Sequence, residues 1–212
     1  MTKLLSTIAA LAFGMLATQS VALTVYNKGV AAEPSALQYD PASTYVVVFG
    51  KNFAPSRKTA PAFLRGGFCP VTGAAMITCE KNTGFTYGKP KDGFSASGKP
   101  NLFYLVQKVP SQYKGRYALT SASKGSAVIR ITNSTYYFDA RPGTVIVLGP
   151  AGYSADQSIA QIKHFLSRNF DPAFAGVPYR PMSAAAISCT GKKKNKSCQL
   201  GTDVDPRSVP RK

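Results

Sequence analysis

Between Thr44 and Leu148 the chain returns repeatedly to short runs of β-branched and aromatic residues, several of them closed by Gly or Pro. Thr44 to Phe49 (TYVVVF) and Thr144 to Leu148 (TVIVL) are near-continuous apolar runs, the pattern of strands buried on both faces. Leu102 to Val109 (LFYLVQKV), Gly115 to Ser121 (GRYALTS), Val128 to Thr132 and Ser134 to Asp139 (STYYFD) read as further strands, with Arg141-Pro142-Gly143 as a turn. Weaker candidates are Leu23 to Lys28, Ala62 to Cys69 and Ala74 to Lys81, with Pro70 and Gly73 marking a turn between the last two. Asn82 to Pro100, rich in Gly, Lys and Pro, reads as a long loop or irregular hairpin. Short strands at this spacing predict a mainly β fold, an antiparallel β-sandwich of immunoglobulin-like or transthyretin-like kind. With 212 residues, 44% of them hydrophobic, the chain has material for one real core, and wholesale disorder is excluded.

One helix is expected at about 154–169. Ser154 can cap it, Gln157 completes a capping box, and Ile159, Ile162, Phe165 and Leu166 share a face. The chain from Asp171 onward is Pro-rich and basic, with one candidate hairpin around Cys189 and Cys198. The expected organisation is a signal peptide over 1–22, a β-sandwich domain over 23–181, and an irregular, basic, disulfide-containing tail over 182–212.

The signal peptide follows from Lys3, the apolar run Leu4 to Ala17, and small residues at Ser20 and Ala22. That run falls short of the roughly 20 residues a membrane helix needs, and no other stretch approaches that length. Cleavage after Ala22 therefore predicts a chain without a transmembrane segment, periplasmic or extracellular, or peripheral to an outer membrane. Cys69 and Cys79 are separated by nine residues and Cys189 and Cys198 by eight. Four cysteines allow three pairings. An oxidising compartment favours disulfides, and a four-thiolate zinc site would want tighter C-x₂₋₄-C pairs. The two local pairings are the expectation, each gaining about 2.5–3 kcal/mol from chain entropy.

The strings LFYLVQKVP, GRYALTS, YYFDARPG and TVIVLG, followed by a helix ending in FLSRNFDP, resemble a pattern of uncharacterised β-sandwich proteins of the proteobacterial cell envelope. The likeness covers residues 102–181 and rests on Gly115 and Gly143 at turns and on Tyr117 and Phe138 as core residues. It implies a fold and an address, and it brings no catalytic or ligand set with it. Many proteins of this pattern are lipoproteins, whereas the first cysteine here is Cys69.

Charge is the strongest functional signal. Lys and Arg number 26 against nine Asp and Glu, a formal charge of +17. Such an excess attracts polyanions through Coulomb forces and counterion release. Export and the lack of a nucleic-acid-binding signature turn the expectation away from nucleic acid and towards anionic envelope polymers or lipids, or an acidic protein partner. Lys192, Lys193, Lys194 and Lys196 lie between Cys189 and Cys198, so a disulfide there would display four ammonium groups on one tethered loop, the candidate anion-binding site. Lysines are flexible point charges, so binding through them is expected to be diffuse and salt-sensitive.

Catalysis finds little support. His164 is the single imidazole, no G-x-S-x-G elbow occurs, and Glu33 and Glu80 are not placed as a glycosidase pair. No Gly-rich phosphate loop, no EF-hand and no C-x-x-C redox motif is legible, so no cofactor and no metal are expected. The expected function is a non-catalytic, exported envelope protein with a cationic binding surface. The alternatives are a secreted hydrolase using His164 and a structural subunit docking through an open sheet edge.

Overall fold

The computed structural model describes residues 24–27, 30–32, 37–51, 64–78, 85–87, 93–97, 102–109, 111–124, 127–130, 133–150, 152–190 and 197–209. The expected signal peptide, Cys79 and the lysines of 192–196 lie outside them. Eight strands occupy the first half: β1 (Thr24–Asn27), β2 (Val30–Ala32), β3 (Thr44–Lys51), β4 (Leu64–Thr72), β5 (Met76–Ile77), β6 (Phe85–Tyr87), β7 (Gly93–Ser97) and β8 (Leu102–Val109). The second half holds β9 (Gly115–Lys124), β10 (Ala127–Arg130), β11 (Ser134–Ala140), β12 (Val145–Leu148), α1 (Ala155–Asn169), β13 (Tyr179–Pro181), β14 (Ser183–Thr190) and β15 (Ser197–Asp203).

The chain is mainly β with one α-helix among the described residues, in two layers. The first is a mixed sheet in the order β13-β12-β3-β8-β7-β1-β2. Here β12 runs parallel to both β3 and β13, and the other pairings are antiparallel. The second is a closed antiparallel barrel of six strands, β4-β9-β11-β14-β15-β5 and back to β4, with β10 and β6 alongside. The expected sandwich is not confirmed, because β4 pairs with β9 from Leu64 to Val71 and rolls this sheet shut. The 182–212 segment, expected as an irregular tail with one candidate hairpin around Cys189 and Cys198, does pair there, and the pair β14 and β15 belongs to the barrel wall rather than to a tail. The turn expected at Pro70–Gly73 falls later, at Gly73–Ala75. Both end residues have positive φ there, and Pro70 stays within β4.

Closure of so small a barrel has local causes. Its interior is narrow, and the cluster drawn from all six strands mixes small residues with large: Cys69, Ala118 and Ala185 beside Ile77, Tyr137 and Leu200. Register shifts between Gly67 and Phe68 in β4 and between Ala185 and Ile187 in β14 bend the wall. The buried Thr135 hydroxyl donates to the Leu119 carbonyl within the same wall.

Alternation along β3 divides the core. Val46 and Val48 face the barrel, meeting Phe68, Tyr117, Leu119 and Phe138. Tyr45, Val47 and Phe49 face the other way, against α1. That helix keeps the expected bounds and the expected cap: Gln157 N donates to Ser154 Oγ at 3.1 Å, and Ser154 N to Gln157 Oε1 at 2.9 Å. Ile162, Phe165 and Leu166 are buried as the pattern required. The Phe165 ring stacks on Tyr104 at 3.6 Å, and Gln161 Nε2 donates to the Tyr104 hydroxyl at 2.9 Å. Between β12 and β13, α1 completes a parallel β-α-β crossover.

Candidate functional site

Three places bear on function: the basic exterior, the surroundings of His164, and a cleft where the two layers meet. On the exterior, β14 and β15 form an antiparallel pair in which Cys189 and Cys198 stand directly opposite and are joined by a disulfide. Thr190 and Ser197 are the last pair before the lysine-bearing connection, so the bridge closes the hairpin one step from it. Cys69, buried in β4, is disulfide-bonded as well.

A second concentration of positive charge was not singled out by the sequence. Arg116 on β9 faces Asp139 on β11, donating from Nε to Oδ1 at 2.9 Å and from Nη2 to Oδ2 at 3.3 Å. Its guanidinium also lies 4.7 Å from the centre of the Tyr137 ring. The Asp139 carboxyl is held below the ordinary carboxylate range, first by the Arg116 hydrogen bond and further by the charges of Arg116, Arg141 and Arg180, against burial. Asp139 thus pairs with one guanidinium and feels the charge of two more. The signal lay in β-strand pairing, which brings positions 116 and 139 together across the ladder.

His164 is exposed on α1, beside Lys163. The Ser167 hydroxyl reaches the backbone carbonyl of His164, at 3.4 Å, rather than its ring. Among the described residues no three His, Cys, Asp or Glu side chains are grouped to hold a metal ion, and no helix is long and apolar enough to cross a membrane.

The cleft, of about 450 Å³, opens between the start of α1, the carboxyl ends of β12 and β13, and the chain from Asp203 to Arg207. Its apolar walls come from Tyr136, Val147, Leu148, Tyr153, Met182 and Val204. On the helix side stand Ser154, Ala155 and Ser158. Ser158 is only 5% exposed, and its hydroxyl makes no hydrogen bond among the described residues. Gly149 makes this approach possible: a Cβ there would collide with the Ser158 hydroxyl and lie 2.8 Å from Ser158 Cβ and 3.1 Å from Phe49 Cε1. On the opposite side, Asp203 Oδ1 accepts from the Tyr137 hydroxyl at 2.8 Å. Asp205 takes a forked pair of bonds from Arg207, Nε to Oδ2 at 2.9 Å and Nη2 to Oδ2 at 2.6 Å, and this holds its carboxyl down at about 2. Sequence reading treats Gly149-Pro150 only as a strand stop. The missed signal is the whole order, an apolar run, a glycine-bearing turn, then a capped amphipathic helix.

No protein-family model, no curated protein and no solved structure matches the chain.

Proposed function

We propose that the chain is an exported, non-catalytic protein whose cationic exterior binds anionic polymers or lipids of the cell envelope. One observation carries the reading: the described carboxylates are largely engaged within the molecule, while the cations greatly outnumber them. Asp40 is bound by Lys108 at 2.9 Å, Asp139 by Arg116, and Asp205 by Arg207. Asp171 accepts backbone N–H bonds from Tyr39 and Ala173, each at 2.9 Å, and Asp203 accepts from Tyr137. Nine carboxylates cannot offset 26 Lys and Arg, so most of the basic side chains must find their counter-charge outside the protein. Lys114, Arg141, Lys163, Arg168 and Arg180 are all exposed.

The disulfide-closed hairpin, the apolar N-terminal run and the likeness of residues 102–181 to envelope proteins support export to an oxidising compartment. An acidic protein partner would be recognised by the same surface. Co-sedimentation with outer-membrane vesicles and with cell-wall sacculi, from low to high salt, tests the reading. Binding that weakens steeply with salt, and further when Lys192, Lys193, Lys194 and Lys196 are changed together to Gln, is the expected result. Absence of binding to both materials at low salt would overturn it.

A further inference from the structure

We infer that the cleft between α1 and the Asp203–Arg207 segment is a binding site for a small zwitterion with an apolar body, an amino acid or short peptide of the leucine type. The site differs from the cationic exterior in chemistry and in the size of what it admits. Its volume, about 450 Å³, lies in the range of small-molecule pockets. Its position, outside the carboxyl ends of parallel strands beside a β-α-β crossover, is where open sheets with parallel strands bind ligands.

Two sides of the cleft have opposite polarity. On one, the capping box satisfies the N–H of Gln157, and Ser158 N bonds the Ser154 carbonyl, while the N–H of Ala155 stands at the positive end of a 15-residue helix on the cleft wall. The Ser158 hydroxyl adds a donor with no hydrogen-bond partner among the described residues, in a side chain 5% exposed and lining the same wall. These groups match a carboxylate. On the other side stand Asp203, with Oδ1 on the Tyr137 hydroxyl, and the Asp205–Arg207 pair; Asp205 is already met by its guanidinium, so the remaining lone pairs of Asp203 are what match an ammonium group. Between them lie Val147, Leu148 and Met182, which match a branched aliphatic chain. A free anion would meet two aspartates and a free cation would meet the helix end. A molecule carrying both charges satisfies each wall at once.

The test is calorimetric titration of the oxidised protein with four probes of shared apolar body: leucine, leucyl-leucine, 4-methylpentanoate and 3-methylbutylamine. The zwitterions bind, and each single-charge analogue binds roughly tenfold more weakly or worse, the loss expected when a charged partner goes unmet. Ser158→Ala weakens the zwitterions while leaving 3-methylbutylamine unchanged. Ser183→Trp, at an exposed position on the rim, blocks all four. Near-ultraviolet circular dichroism establishes that both variants keep the native packing. Absence of heat from every probe at millimolar concentration would overturn the site, as would equal binding of the three charge types or binding that survives Ser183→Trp. None of these outcomes bears on salt-sensitive polyanion binding, which the vesicle and sacculus experiment reads separately.

Discussion

At the scale of single residues, three positions carry definite energetic consequences. Gly149 lets α1 sit against the end of β12, so Gly149→Ala forces its new methyl into the Ser158 hydroxyl and towards Phe49. Overpacking of this kind costs about 1–3 kcal/mol in urea unfolding. Adding Ser158→Ala should recover only part of that, since Ser158 Cβ would remain 2.8 Å away. Gln107 is the converse case. It is 7% exposed on the barrel-facing side of β8, where Nε2 donates to the Lys108 carbonyl at 2.7 Å but Oε1 has no partner among the described residues. Gln107→Met removes a buried acceptor without emptying its volume and should stabilise the fold by about 1 kcal/mol; a loss of stability would show that Oε1 is satisfied after all. Asp40 carries a pH dependence. The Lys108 hydrogen bond, followed by those from Ala42 N and Ser43 Oγ, lowers its carboxyl from 3.8 to about 2. A carboxyl depressed by folding stabilises the native state above its unfolded value and loses that contribution as pH falls through the folded one. With the Asp40 side chain 36% exposed, screening keeps the effect under about 1 kcal/mol. Asp40→Asn should therefore be slightly less stable than the parent at pH 7, with the difference closing between pH 3.8 and about 2.

Among elements, the legible and illegible parts of the fold separate by the range of the interactions that define them. The helix was readable because its cap, its capping box and its apolar face all lie within 16 consecutive residues, and α1 obeys each. The runs TYVVVF and TVIVL announced strands buried on both faces, and Tyr45, Val47, Val145 and Val147 on one face and Val46 and Ile146 on the other are 2% exposed or less. The direction of those strands was not readable. Burial on both faces is also the mark of parallel strands, and only the crossover through α1 makes β12 parallel to β13. Barrel closure was hidden for a similar reason, since the β4–β9 pairing joins residues about 50 positions apart and leaves no local mark beyond glycines that permit a bulge. The tail misled through composition. Beyond the candidate hairpin around the cysteines, charge and proline made it look irregular, yet buried Ala184 and Ala185, consecutive in β14, and buried Leu200 in β15 anchor two strands. The hairpin they form is cross-linked at Cys189 and Cys198. Replacing both by Ser frees a loop of about ten residues in the unfolded chain and should cost about 2.5–3 kcal/mol. The check is urea unfolding of the variant beside the parent, both without reductant, so that the Cys69 bridge stays closed. Because β15 also pairs with β5, the loss should appear as cooperative weakening of the whole barrel rather than as fraying of one hairpin.

For the whole molecule, the excess of positive charge has two effects of opposite sign, and salt distinguishes them. With 26 Lys and Arg against nine Asp and Glu, the compact state works against its own repulsion, since folding draws like charges together. The three ion pairs among the described residues are all partly exposed, so salt sacrifices little by screening them. Raising ionic strength from about 0.01 M to about 0.15 M shortens the screening length from about 30 Å to about 8 Å, which spans the dimension of a domain. Stability measured by thermal unfolding should therefore rise over that interval. Association with an anionic polymer depends on the same charges acting outward and gains from release of the polymer's counterions, so it should fall steeply over the same interval. A chain whose lysines served solubility alone would share the first response and lack the second. Measuring both on one preparation, with sodium chloride as the only variable, decides whether the excess charge is tolerated by the fold or used by it. Rising stability with falling sacculus or vesicle binding is the expected pair of results. Stability that rises while no binding is seen at the lowest salt would assign the charge to solubility, leaving the cleft as the remaining recognition site.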